Sequence, residues 1–272
     1  MREDAALPDA PRREARRATP QQDPARPDGV LLLHGFTSAP STMAPVAEAL
    51  EQAGFLVETP LLPGHGTAWR DLAGTPRAAL TDAALSAWDG LARRCRTVGV
   101  AGLSMGGTLA LQVAARRPVS AAAVINPALR LRPGQGLAAR LLWRLLPSVG
   151  SIAGDIARVG VREEAYPRTP VRGVAELDRL AAEVRAELGA VEAPVLLLRS
   201  AQDGVLPRAA AASLGERLTG ASLREVVLRR SRHVATLDHD AERVAAEVRG
   251  FLTGAADRRV PRNDETAEAE DR

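Results

Sequence analysis

Residues 102–106 read Gly-Leu-Ser-Met-Gly, and they stand between a run with strand character and a run with helix character. Thr97-Val98-Gly99-Val100-Ala101 is short, apolar and partly β-branched, while Thr108 to Arg117 has helical composition and is stopped by Pro118. A serine in so sharp a strand-to-helix turn has its hydroxyl held in the open. Gly102 and Gly106 suit that turn because a side chain at either position would clash. The helix that follows points its positive dipole end at Ser104. A chance match is the alternative reading of any such pentapeptide in a Gly-rich chain. The strand and helix on either side argue for a nucleophile.

The same alternation of strand and helix runs along much of the chain. Val30–Leu33 and Leu56–Thr59 read as strands, with a helix between them capped by Thr42 and ended at Gly54. Thr75-Pro76 opens a helix that puts Leu80, Ala84, Leu85, Trp88 and Leu91 on one face. Ala121–Ile125, residues 195–199 and residues 223–228 are further strands, and a helix over about 240–252 closes the series. Such alternation predicts an α/β fold with a mostly parallel sheet flanked by helices. Between Asn126 and Val191 the alternation breaks. Residues 127–190 are therefore expected to form a helical cap inserted into a core made of residues 29–126 and 191–254. A length of 272 residues suits one such domain. Hydrophobic residues at 46% supply a core, and aromatics at 3% leave its packing to aliphatic side chains. Residues 1–28 and 255–272 carry too little apolar surface to repay ordering and are expected to be disordered.

Charge and cysteine content exclude several function classes. All 36 basic residues are Arg, which together with the Ala richness reads as a GC-rich genome. Net charge is only +3 and acidic residues are interleaved with the Arg, so no stripe for nucleic acid stands out. Cys95 is single and reads as a small core hydrophobe. No secretory signal and no run of about 20 apolar residues is visible, so the expected location is cytoplasmic without stable membrane insertion. No metal-ligand cluster or phosphate-cradling loop is visible either. His65 in Pro-Gly-His-Gly reads as a loop element, and no metal and no cofactor is expected. Oligomeric state stays open.

A serine hydroxyl is a weak nucleophile at neutral pH and needs a base, and the base needs an orienting acid. In hydrolases that carry their serine at such a turn, the chain order is Ser, then Asp or Glu, then His. Of four histidines, His34 and His65 precede Ser104. His233 follows the strand-like Leu223–Leu228 and precedes the last helix, where a loop can hang an imidazole over the sheet edge. His239, in Leu-Asp-His-Asp, reads instead as a solvated or capping residue. Asp203 leaves the carboxyl end of the buried run Pro194 to Ser200, where α/β sheets place ligands; the other reading is a turn Asp before Gly204. Leu31-Leu32-Leu33-His34-Gly35-Phe36 is a strand running into a tight turn. Its Phe36 amide, with that of Met105, is the expected oxyanion hole, and His34 is expected to organise the loop.

Four motifs together resemble a known family: His-Gly-Phe-Thr at 34–37, Pro-Gly-His-Gly at 63–66, Gly-Leu-Ser-Met-Gly-Gly at 102–107 and Ser-Arg-His-Val-Ala-Thr-Leu-Asp at 231–238. In order and spacing over about residues 29–253, the chain is similar to bacterial α/β-hydrolases, above all to small carboxylesterases and monoacylglycerol lipases. The resemblance implies an α/β-hydrolase fold. It also implies Ser104 as nucleophile, Asp203 as acid, His233 as base and the amides of Phe36 and Met105 as oxyanion donors. Tyr166 to Leu188 resembles the second half of the family's cap, whereas residues 127–165 match nothing in it. The implied activity is hydrolysis of carboxylic esters with short-to-medium acyl chains through an acyl-enzyme, the partner being a small-molecule ester. The same triad serves lysophospholipases, thioesterases, peptidases and acyltransferases, and a non-catalytic binding protein can keep the fold. The intact Ser, His and Asp argue against the last.

The most apolar helix-like run in the chain is Leu137 to Leu146, about ten residues and too short to span a bilayer. Leu137, Leu141 and Trp143 are expected to line an acyl pocket over Ser104. Ordinary packing of the insert is a second reading, and lipid contact by Trp143 with Arg140 and Arg144 a third. Val174, Leu177, Leu180, Ala181, Val184 and Leu188 form an amphipathic stripe expected to face the core.

Overall fold

A computed structural model describes residue 23 and residues 25–258. Strand β1 (Gly29–Leu33) leads through a 3-10 turn into α1 (Ala44–Glu51) and β2 (Leu56–Glu58). Helices α2 (Trp69–Gly74) and α3 (Arg77–Ala92) precede β3 (Val98–Leu103), which turns into α4 (Met105–Arg116) and then β4 (Ala122–Ile125). The next stretch holds α5 (Gln135–Leu142), short strands β5 (Ser148–Gly150) and β6 (Arg168–Pro170), and the long α6 (Val171–Glu187). Strand β7 (Val195–Ser200), α7 (Ala209–Arg217), β8 (Leu223–Leu228) and α8 (Ala241–Arg258) complete the described chain.

The main sheet has the order β2-β1-β3-β4-β7-β8, and every neighbouring pair is parallel. Its alternate residues feed two cores. Leu31, Leu33, Val98, Val100, Val124 and Leu197 face α3, α4 and α6, where Trp88 and Leu180 are fully buried. Val30, Leu32, Ala101, Ile125, Leu196 and Leu198 face α1 and α8, against Val46, Val244 and Val248. Burial on both faces accounts for the continuous apolar runs of these strands. The chain passes from β1 outward to β2 and then back across to β3. The loops after β1 and β3 therefore leave a topological switch point, where open α/β sheets bind ligands.

Several local expectations change. Thr42 lies inside the 3-10 turn and its hydroxyl donates to the Ala39 carbonyl, so it does not cap α1; Pro45 occupies the first turn instead. The tail boundary drawn at residue 255 falls inside α8, where Ala255 and Ala256 are buried. The arm is anchored at its inner end, because Asp28 accepts hydrogen bonds from Arg96 and from the Thr97 hydroxyl. Residues 1–22, 24 and 259–272, on which the rest of the disorder expectation falls, lie outside the described residues. Among the described residues, no helix is long and apolar enough to cross a membrane.

Candidate active site

Ser104 caps the N-terminus of α4 with φ 55° and ψ −116°. That left-handed conformation costs a non-glycine residue on the order of 1–3 kcal/mol and persists only where its surroundings hold it. Here they do. The Ser104 amide donates to the Ile125 carbonyl, and its carbonyl accepts from the amides of Thr108 and Ala128. The two motif glycines are required by close approach. A Cβ on Gly106 would lie 2.0 Å from the Leu33 carbonyl oxygen, and one on Gly102 2.3 Å from the Gly106 backbone.

The other two triad candidates meet over this turn. His233 Nδ1 lies 2.8 Å from Asp203 Oδ2. The second carboxylate oxygen of Asp203 accepts the amides of Val205 and Leu206 at 2.8 and 2.9 Å. With Nδ1 donating to a carboxylate, the neutral imidazole leaves Nε2 as a proton acceptor. Burial alone would raise the Asp203 pKa, but the His233 hydrogen bond and charge, with the two amides, hold it below the ordinary carboxylate value. Ser104 and His233 line one cleft. His239 is exposed.

The loop after β1 packs directly on Ser104, since a Cβ on Gly35 would lie 3.7 Å from the Ser104 Cβ. Among the described residues, neither the Phe36 nor the Met105 amide has an intramolecular acceptor, so both are free donors. His34 organises this loop. Its Nε2 accepts the Leu62 amide at 3.1 Å and its Nδ1 donates to the Gly35 carbonyl at 3.0 Å. Burial, with the nearby His65 charge, pushes its pKa down to about 4, against the opposing pull of that carbonyl. His65 packs edge-on to His34 at 4.8 Å and lies beside the ring of Tyr166. Tyr166 in turn ties three loops together. Its hydroxyl donates to the Gly64 carbonyl, its oxygen accepts the Thr67 amide, and its own amide donates to the Thr37 carbonyl.

A narrow cleft opens to solvent beside Ser104. Its walls are largely apolar: Phe36, Leu131, Ile152, Val174, Leu177 and Leu206. Polar side chains other than Ser104 and His233 are Gln135 and Glu163. The expected lining by Leu137, Leu141 and Trp143 does not hold. Leu137 and Leu141 turn outward, 62% and 69% exposed. Trp143 lies in a separate cleft with Trp69, under the guanidiniums of Arg144 and Arg172. The apolar wall instead takes in Val174 and Leu177, from the stripe expected to serve only core contact. Helix α5 presents Ala139 inward while its longer side chains face solvent, so apolarity alone misassigned the lining face.

Three further residues grip the site and went unnoticed in the sequence. Asn126, at φ 44°, donates to the His233 carbonyl at 2.8 Å. Arg132 donates to the carbonyls of Gly204 and Val205. Asp238 accepts the amides of Ala157, Arg158, Arg232 and His239. Those donors outweigh burial and hold its carboxyl below the ordinary pKa. A hydroxyl on a strained turn, an imidazole with a free Nε2, a half-buried carboxylate and two free amides are the parts acyl transfer requires.

Comparison with known proteins points the same way. The model of the Alpha/beta hydrolase family matches residues 30–247. The chain is 38% identical over 220 residues to the thermostable monoacylglycerol lipase of Bacillus sp. (strain H-257), covering 79% of this chain and 86% of that protein. It is 31% identical over 232 residues to the pimeloyl-[acyl-carrier protein] methyl ester esterase of Aromatoleum aromaticum, covering 73% and 88%. A solved structure from work on two metagenome-derived lipolytic enzymes, LipS and LipT, superposes with TM-score 0.81 at 32% identity, over 88% of this chain and 98% of that one.

Proposed function

The chain belongs to the alpha/beta hydrolase family and is a carboxylic ester hydrolase, and from that premise we propose that it is a cytoplasmic monoacylglycerol lipase-type esterase acting on short-to-medium acyl chains. Ser104 Oγ attacks the ester carbonyl as His233 Nε2 takes its proton. Asp203 holds the imidazole in the required tautomer and stabilises the imidazolium that forms. The amides of Phe36 and Met105 receive the oxyanion, and N–H donors of this kind are worth about 10²–10³ in rate when one is lost. His233 returns the proton to the departing alcohol. It then activates a water that releases the acid from Ser104 by the same steps in reverse.

The observation that carries the proposal is the composition of the cleft: Ser104 and His233 share it with apolar walls interrupted only by Gln135 and Glu163 among their side chains. An acyl chain gains about 0.8 kcal/mol for each CH₂ buried against such walls, until they are covered. The two polar side chains suit the hydroxyls of a glyceryl head. The outward-facing leucines of α5 do not lengthen the wall, which favours shorter chains. The test is kcat/KM for monoacylglycerols of increasing acyl length, beside triacylglycerols and nitrophenyl esters. The expected profile rises and levels off on monoacylglycerols. Equal turnover of triacylglycerols, or a profile flat in acyl length, would overturn the substrate assignment.

A further inference from the structure

We infer that Asp155, in the irregular segment between β5 and β6, is a positioning residue that sets the distance between the acid loop and the base. One oxygen of its carboxylate accepts two backbone amides, that of Gly204 at 2.8 Å and that of His233 at 3.1 Å. Gly204 directly follows Asp203, and His233 is the other half of the 2.8 Å acid–base pair. A single atom contributed from the insert thus bridges the two loops whose separation decides that hydrogen bond. The carbonyl of Asp155 also accepts the Val234 amide at 3.2 Å.

The surroundings leave Asp155 little freedom. Its side chain is 17% exposed, with the Arg232 guanidinium 3.8 Å from its other oxygen. A Cβ on Gly204 would lie 3.0 Å from both carboxylate oxygens, so the bare glycine backbone is what admits the carboxylate. Arg132 holds the opposite side of the acid loop through the Gly204 and Val205 carbonyls. Asn126 holds the His233 carbonyl, so with Asp155 on its amide both backbone polar groups of that residue are held by side chains from outside its own loop. Asp238 is the internal comparison. It binds the same segment to the same base loop, through Ala157, Arg158 and Arg232, yet has no bond to the Asp203 loop. Joining insert to core and registering acid with base are therefore carried by different carboxylates.

The inference rests on the reading of Ser104, His233 and Asp203 as a triad, so Ser104→Ala is the control in the experiment that tests it. The full chain is assayed on nitrophenyl butyrate for kcat and KM, with melting temperature and the low-field N–H proton resonance of the His233–Asp203 hydrogen bond followed in parallel. Asp155→Ala is expected to lower kcat about 10- to 100-fold with KM within about threefold, and to shift or broaden that resonance. In Asp155→Asn the amide oxygen still accepts both N–H groups, and kcat is expected within about fivefold of wild type. Asp238→Ala is expected to lower melting temperature more than kcat. Should Asp155→Ala fail to fold, Gly204→Ala crowds the carboxylate from the other side and is expected to reproduce the loss in kcat. Wild-type kcat in Asp155→Ala or Gly204→Ala, or parallel losses of kcat and melting temperature in Asp155→Ala and Asp238→Ala, would overturn the inference. Undiminished turnover in Ser104→Ala would overturn the triad reading instead.

Discussion

At Ser104 the fold accepts a strained backbone, and among the described residues neither the Met105 amide beside it nor the Phe36 amide of the adjoining loop has an acceptor. Ser104→Ala is expected to abolish hydrolysis of nitrophenyl esters while leaving melting temperature near wild type, with at most a residual of about 10³ over the uncatalysed rate. His233→Ala should fail in the same assay, whereas exposed His239→Ala should stay within a few fold of wild type; a dead His239→Ala with an active His233→Ala would reassign the base. His34 makes a separate prediction for stability. Its pKa is about 4 in the fold against 6.5 for a free histidine. Between those values the unfolded chain binds a proton that the folded chain refuses, so stability falls as pH drops through the window, by on the order of 3 kcal/mol. Burial lowers the His65 pKa and adds in the same direction. Melting temperatures from pH 7 to pH 4 should show the slope, and His34→Gln should reduce it, leaving the part due to His65; a wild-type profile level across the window would refute it. Ser104, Asp203 and His233 could be picked out as candidates because each follows a strand pattern at a motif or a turn. Asp155, Asn126 and Arg132 could not. Each acts on a loop distant in sequence, and no local periodicity marks such a contact.

At the scale of elements, close approach decides more than propensity. Gly106→Ala would place a methyl group 2.0 Å from the Leu33 carbonyl, forcing β1 and α4 apart. Its expected cost is about 3 kcal/mol or more by denaturant titration, among the larger effects of a single substitution. Helices α5 and α6 make the opposite kind of claim. Leu177→Ala removes part of the acyl wall and should lower kcat/KM by about tenfold on octanoyl esters with little change on acetyl esters. Leu141→Asp, on the outward face of α5, should leave the acyl-length profile unchanged. A selective loss on long chains in Leu141→Asp would return α5 to the pocket. The helices with long apolar stripes, α3 and α6, could be read from spacing. Helix α2, with six residues, and the three-residue strands β5 and β6 could not, since they are too short to display a period.

For the molecule as a whole, alternation of strand and helix was enough to predict a parallel sheet, with the candidate site expected at its carboxyl edge. The order β2-β1-β3-β4-β7-β8 then brings the loop of Phe36 beside the turn of Ser104. What alternation does not reveal is how the insert engages that edge. Residues 127–165 carry none of the four motifs, yet they supply Arg132 and Asp155 to the loops bearing Asp203 and His233. This has a bearing on how such proteins diversify. A segment that only roofed a pocket could be traded between relatives like an interchangeable part, changing substrate range and nothing else. Here a transplanted segment without an acceptor opposite Gly204 and His233 would arrive with a new pocket and a mis-set engine. An exchange of this chain's insert is therefore expected to keep its activity only if the two loops it grips travel with it or the new segment brings its own acceptor.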